Sequence, residues 1–257
     1  ENYYMLASAP SIYRPVFKQF ANGGNTATYN ASTGGGFGAA WVQDVADRSE
    51  PRWAVSANYV AYDANNSNPG DGNGGLFTNS GKGIFLSKVE YGSPKWQVSV
   101  AYSYQDDGKN GGQYYATTDG HERTGSSTYV GVRGYWRPDT TGMIPSISGG
   151  FDIGTVDDDG TSGATESTAA WMIGMNWSDA FIDGNTAGLA FGKRQWATSL
   201  VGTGDDPADD NFTYEVYYSF KVSDNISITP AVMVASDPNN GTNDDTVAGV
   251  INTVFKF

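Results

Sequence analysis

The feature that most constrains the fold of this chain is a period-two alternation of apolar and polar residues that recurs along the whole sequence. In the stretch 211–222, apolar or aromatic residues from Phe212 to Val222 hold one parity, and mostly polar residues hold the other. A strand has this period because its successive side chains point to opposite faces, whereas a helix repeats about every 3.6 residues. Such segments predict about twelve strands, at 2–8, 37–42, 53–59, 83–91, 96–105, 129–137, 145–153, 170–177, 187–196, 211–222, 226–234 and 247–257.

The positions of the aromatic residues distinguish a soluble sandwich from a membrane barrel. Aromatic side chains crowd the apolar parity and lie near strand ends, as Trp53, Trp96, Trp136 and Trp177 do. Lipid-facing strands carry aromatic girdles where the membrane meets water, whereas a soluble core favours aliphatic packing. The opposite parity is small and polar, which suits a water-filled interior, so the pattern favours a membrane barrel.

The predicted connections alternate in length. Long ones at 63–82, 106–127, 155–168, 200–211 and 236–246 alternate with short ones at 92–95, 138–142, 178–185 and 223–225. Outer-membrane barrels have short periplasmic turns and long external loops. The sequence therefore predicts an all-β, antiparallel up-and-down transmembrane β-barrel in the bacterial outer membrane, formed by residues 1–257 as a single domain.

Charge and missing residue types narrow the functions further. The net charge is −13, which argues against nucleic acid as a partner because phosphate binding needs a concentrated basic face. There is no cysteine, and the single histidine, His121, lies in a long loop. Neither thiol chemistry nor a histidine-based triad or metal site is then expected. We predict no catalytic residue, no metal site and no cofactor; a barrel enzyme is the least favoured alternative.

Charged and aromatic residues on the polar parity are candidates for the wall of a pore. They are Arg133, Tyr135, Arg137, Asp152, Arg194, Glu215 and Tyr217. Porin loops that fold inward narrow the pore and select ions by their charges, and Ala9–Gly35, with Tyr13, Arg14 and Lys18, is a candidate constriction loop. Two interpretations of this stretch stay open: a loop that folds into the pore, and an external loop or a short helix packed on the rim. If it folds inward, we expect Arg133, halfway along its strand, to favour anions.

Several motifs resemble the C-terminal barrel part of cyanobacterial outer-membrane porins, a family within the carbohydrate-selective porin superfamily that is often labelled iron-uptake porins. Ser11-Ile12-Tyr13-Arg14-Pro15 resembles the family's Asn-Pro-Ile-Tyr-Arg segment, and the stretch 72–77 resembles its Gly-Asn-Gly-Leu-Phe loop. The stretches 218–231 and 252–257 resemble its penultimate hairpin and closing strand. Family members carry an S-layer-homology domain, a coiled-coil linker and further strands ahead of this region. The resemblance thus implies that this chain lacks the cell-wall-binding domain. It implies either a part of a larger barrel, the interpretation that we favour, or a shortened member of the family.

The function that we expect is that of a porin with a narrow water-filled channel for passive diffusion of inorganic ions and small hydrophilic solutes. The alternative is a structural or adhesive outer-membrane barrel with a plugged lumen. The expected partners are outer-membrane lipid, the permeating solutes and the barrel-assembly machinery, which would bind through the C-terminal Phe257; a homo-oligomer stays open. Phe257 is predicted on the lipid face, with Val247, Ile251 and Phe255.

Overall fold

The computed structural model describes residues 8–24, 28–29, 34–61, 64–68, 74–76, 83–106, 125–157, 160–202, 211–236 and 245–256. The strands are β1 (Gly35–Val42), β2 (Arg52–Ala61), β3 (Gly83–Ser93), β4 (Trp96–Gln105), β5 (Ser127–Trp136), β6 (Ser146–Val156), β7 (Thr165–Ser178), β8 (Thr186–Leu200), β9 (Phe212–Lys221), β10 (Ile226–Ala235) and β11 (Thr246–Phe255). A 3-10 helix, Lys18–Gly23, precedes them. In the part of the chain that the structure describes, no helix is long and apolar enough to cross a membrane.

The eleven strands form one sheet in which every strand pairs antiparallel with the next. This confirms the all-β class and the up-and-down order. The twelfth strand proposed at 2–8 falls outside the described residues, except for Ser8. Strands β7 and β8 are longer than predicted because register shifts between Thr165 and Trp171 interrupt the strict alternation. A bulge inserts an extra residue into one strand, so the two-residue period does not continue through it.

The connections leave the strands at two opposite ends of the sheet, and those at one end are mostly shorter. At the end that we call the short-turn end, the strands are joined by 43–51, 94–95, 137–145, 179–185 and 222–225. At the other end they are joined by 62–82, 106–126, 157–164, 201–211 and 236–245. The predicted alternation of short and long connections is confirmed except at 157–164, which has eight residues against nine in 43–51 and in 137–145, because β6 and β7 extend beyond their predicted ends.

The two faces of the sheet differ in chemistry. One row of paired residues crosses β1 to β6 on the outer face and is largely exposed: Trp41, Val55, Val89, Val100, Val132 and Phe151. The adjacent row on the inner face is buried and small or polar: Ser56, Lys88, Ala101, Gly131 and Asp152. The face that normally hides apolar groups in a soluble protein is here the polar one.

The predicted lipid-face parity of the last strand agrees with the strand register. Val232 of β10 pairs with Val216 of β9 and with Gly249 of β11, and both valines are exposed on the outer face. Alternation along β11 then places Val247 and Ile251 on that face too. Phe257 lies outside the described residues.

The first and last strands are the edges of the sheet. Strands β1 and β11 each have one neighbour in the described sheet, and both are exposed along nearly their whole length. Among the described residues, no strand pairing joins β1 to β11.

Candidate constriction on the inner face

Most of the described residues that precede β1 lie against the inner face of the sheet. We call residues 8–24 and 28–29, the described part of Ala9–Gly35 together with Ser8, the inner segment. Its Tyr13, Phe20 and Tyr29 are buried, and Tyr13 and Phe20 share an apolar cluster with Met172 and Tyr217 of the sheet. The interpretation of this stretch as an external loop is therefore wrong for these residues.

A single carboxylate on β9 holds the middle of the inner segment. Glu215 accepts hydrogen bonds from the Tyr13 hydroxyl at 2.8 Å, from the Val16 N–H at 3.0 Å and from the Phe17 N–H at 2.9 Å. Hydrogen bonds to a charged acceptor are roughly twice as strong as neutral ones. Burial, reinforced by the nearby Glu215 carboxylate, raises the pKa of Tyr13 far above its usual range, so this hydroxyl stays a donor.

A buried ion pair holds the end of the 3-10 helix and the turn after it. Arg133 Nη2 lies 2.7 Å from Asp152 Oδ2, and both side chains are fully buried. The guanidinium also donates from Nε to the Asn22 carbonyl at 2.9 Å, and the Thr28 hydroxyl donates to Asp152 at 2.5 Å. The Tyr29 ring lies 5.1 Å from the guanidinium carbon, a cation–π contact.

Glycine makes room for this ion pair. A Cβ atom built on Gly150 of β6 would lie 2.8 Å from Arg133 Cδ and would also collide with the Gly23 carbonyl. Its neighbour Gly149 has no such contact, because the nearest heavy atom to a Cβ there is 3.8 Å away. The arginine side chain thus occupies the volume that any other residue would fill at position 150.

A third polar cluster holds the start of the inner segment. Lys88 and Glu90 form an ion pair on β3, and Lys88 Nζ donates to the Ser8 carbonyl at 2.6 Å. The Ser8 hydroxyl contacts Glu90 at 2.8 Å and the Gln97 amide oxygen at 3.0 Å. Three clusters of the inner face, on β3–β4, β5–β6 and β9, therefore hold one segment.

The structure changes the role expected of Arg133 and Asp152. The sequence predicts Arg133 as a filter charge facing the solutes, but its guanidinium is buried and neutralised by Asp152 under the inner segment. The expectation is wrong for this side chain because a charge on the next strand and the segment above it both cover the guanidinium. Glu215 and Tyr13 are likewise engaged with each other and buried.

Of the remaining candidates, only Tyr217 belongs to the apolar cluster with Tyr13. Tyr217 is buried, and its hydroxyl accepts a hydrogen bond from Asn176. Arg14 and Arg137 are exposed, Tyr135 is half-buried beneath the Arg137 guanidinium, and Arg194 is half-buried where the register of β7 and β8 shifts. The backbone of Lys18 begins the 3-10 helix.

Several residues that hold the inner segment in place are not among the candidates predicted from the sequence. Lys88 and Glu90 share the polar parity of a predicted strand, so two opposite charges at that spacing were a signal that could have found them. Ser8, Asn22 and Thr28 carried no such signal. Among the described residues, no three His, Cys, Asp or Glu side chains come together in a way that could hold a metal ion.

Comparison with known proteins gives relatives whose names state no function. An uncharacterized protein of Nostoc sp. is 27% identical over 276 residues, which cover 96% of this chain and 45% of the relative. An uncharacterized protein of Synechocystis sp. is 25% identical over 262 residues, covering 87% of this chain and 43% of the relative. The chain thus spans less than half the length of these curated relatives. No protein-family model and no solved structure matches it.

Proposed function

We propose that this chain belongs to an outer-membrane β-barrel porin in which the inner segment narrows a water-filled channel for small ions and hydrophilic solutes. The observation that carries the proposal is the reversed chemistry of the two faces. The outer apolar row from Trp41 to Phe151 crosses five strand spacings of about 4.8 Å, or about 24 Å. Soluble monomers rarely expose apolar patches beyond a few hundred Å², whereas lipid would cover such a surface.

The strand lengths fit a membrane. The ten residues of β2, Arg52–Ala61, rise about 33 Å when extended. At a tilt of about 40° they would cross about 25 Å, the height of the apolar band of outer-membrane barrels. Because an open sheet edge is not tolerated in lipid, the proposal requires that β1 and β11 be joined, either directly or through additional strands.

The inner segment gives the channel its narrow part. The interior of an eight-stranded barrel is just filled by side chains, whereas wider barrels leave room for water. Lying against β3 to β9, the inner segment would occupy part of that room. Its contacts to Glu90, Arg133 and Glu215 fix it at three places, so the width of the remaining passage would be set by a rigid element.

A second candidate function, a structural or adhesive barrel with a plugged lumen, is favoured by the same contacts. Tyr13, Phe20, Met172 and Tyr217 form a buried apolar cluster on the inner face of the sheet, and such a cluster would exclude water where it lies. The two functions differ in whether a continuous passage remains beside it.

Planar-bilayer recordings of the purified full-length protein test both functions. Stable unitary current steps in potassium chloride are the result expected for a porin. Membrane insertion without current, with insertion measured independently by protease protection in vesicles, would favour the plugged barrel. Recovery of the protein from cells in the soluble fraction, with no insertion into vesicles, would overturn both.

A further inference from the structure

A polar pocket lies where the inner segment reaches the short-turn end of the sheet. Its volume is about 280 Å³. The inner segment contributes Arg14, the turn after β5 contributes Arg137 and Thr140, and the sheet contributes Ser146, Asn176 and Tyr217. Since a water molecule takes about 30 Å³ in the liquid, the pocket has room for about nine waters, or for a small ion with part of its hydration shell.

The lining of this pocket has a single sign of charge. Arg14 and Arg137 both line it, and no aspartate or glutamate does. In the described part of the chain, neither guanidinium forms an ion pair with a carboxylate. This contrasts with Arg133, whose charge is neutralised by Asp152.

The carboxylates nearest to the pocket in sequence are engaged elsewhere. Asp139, in the same turn as Arg137, pairs with Lys95. Asp179 accepts the Gly184 N–H at 2.7 Å and a hydrogen bond from the Thr141 side chain; these bonds lower the pKa of Asp179, and its carboxylate does not line the pocket. Glu215 bonds the backbone of the inner segment.

Hydrogen bonds hold the pocket wall in place. The Arg14 N–H donates to Asn176 Oδ1 at 3.2 Å, and Asn176 Nδ2 donates to the Tyr217 hydroxyl. The Arg137 guanidinium carbon lies 5.8 Å from the centre of the Tyr135 ring. The backbone hydrogen bond thus positions Arg14, and the ring contact positions Arg137. Both arginine residues remain exposed.

We infer that this pocket binds a small free oxyanion, of the class of phosphate or sulfate. The guanidinium group presents a planar set of donors that matches the oxygens of such anions two at a time. The Ser146 hydroxyl already donates to the Asn176 carbonyl, and the Thr141 side chain bonds Asp179. The other serine and threonine hydroxyls in the lining, those of Thr140, Ser178 and Thr186, add neutral donors. As a site on the solute path, the inference rests on the proposed porin function; as a binding site, it stands on the pocket alone.

Equilibrium binding of inorganic phosphate to the purified full-length protein in detergent tests the inference without any channel measurement. Saturable binding is expected in the wild type, with at least a tenfold weaker affinity in the double variant Arg14→Gln/Arg137→Gln. The matched control is Arg48→Gln/Arg52→Gln, which removes the same charge at the short-turn end but outside the pocket. Its affinity for phosphate should equal that of the wild type.

Circular dichroism and heat-modifiable migration establish that the variants are folded. Equal phosphate affinity in the wild type and the Arg14/Arg137 double variant would overturn the inference, as would absence of binding in the wild type. Co-purification of phosphatidylglycerol that the double variant loses, without uptake of free phosphate, would overturn the free-anion assignment in favour of a lipid headgroup. Potassium chloride conductance of the same preparations reports separately on the porin function.

Discussion

The buried pair Arg133–Asp152 offers the most direct test of how the inner segment is held. Removing one partner of a buried ion pair costs about 3–5 kcal/mol because the other charge is left uncompensated. Asp152→Asn keeps the guanidinium bonds to the Asn22, Val132 and Phe151 carbonyls, so we expect about 3 kcal/mol. Arg133→Gln loses these bonds as well, so we expect about 5 kcal/mol.

The double variant Arg133→Gln/Asp152→Asn distinguishes the pair from two independent contributions. With no unpaired charge left, its loss should be about 5 kcal/mol rather than the sum of about 8 kcal/mol, since interacting residues are not additive. Urea unfolding from lipid vesicles, followed by tryptophan fluorescence, measures each free energy. Arg48→Gln, an exposed turn position, should change it by less than about 0.5 kcal/mol. A double variant that loses the full sum would refute the pairing.

The current through single channels of the same variants tests whether the inner segment limits the passage. Loss of the contact between Arg133 and the Asn22 carbonyl should loosen the end of the 3-10 helix, so single-channel currents of Arg133→Gln should become larger or noisier than those of the wild type. Unchanged currents in a variant that is clearly destabilised would mean that the inner segment does not limit the passage.

The remaining predictions concern the outer face, one glycine and one carboxylate. Val216→Arg on the outer face should cost about 2–4 kcal/mol of folding free energy in vesicles, whereas Val222→Arg, just past the end of the same strand, should cost about 0–1 kcal/mol; equal costs would contradict the proposed depth. Gly150→Ala should lose about 1–3 kcal/mol by overpacking against Arg133, with Gly149→Ala as the tolerated neighbour in the same urea assay. Glu215→Gln should weaken the hold on the inner segment by about 1.5–3 kcal/mol, seen as faster hydrogen exchange at the backbone amides between Tyr13 and Phe17 and not at those of the sheet; unchanged exchange there would exclude Glu215 as an anchor.

The sequence by itself determined the strands, their faces and the alternation of the connections. Each of these follows from local periodicity: a strand alternates its side chains whatever its neighbours are, so β4 is predicted with its observed bounds, Trp96–Gln105. The apolar positions of each strand also predict which residues lie on the outer face. Val100 and Val132, for example, each occupy an apolar position of their own strand, and they pair as neighbours on that face. Between β7 and β8, a bulge interrupts the two-residue period. The periodicity therefore predicts strands that are shorter than β7 and β8 are in the structure.

Only the tertiary structure decided what covers the inner face and which charges remain available to a solute. Arg133 and Asn22 are 111 residues apart in the chain, and Tyr13 and Glu215 are 202 apart. Contacts at such separations depend on how the sheet curves and where the segment before β1 enters it, which no local pattern encodes. On parity alone, Arg133 and Arg137 are equivalent candidates for a pore wall. The fold buries the first against Asp152 and leaves the second exposed beside Arg14, because a charge is neutralised only by the partners that folding brings within reach.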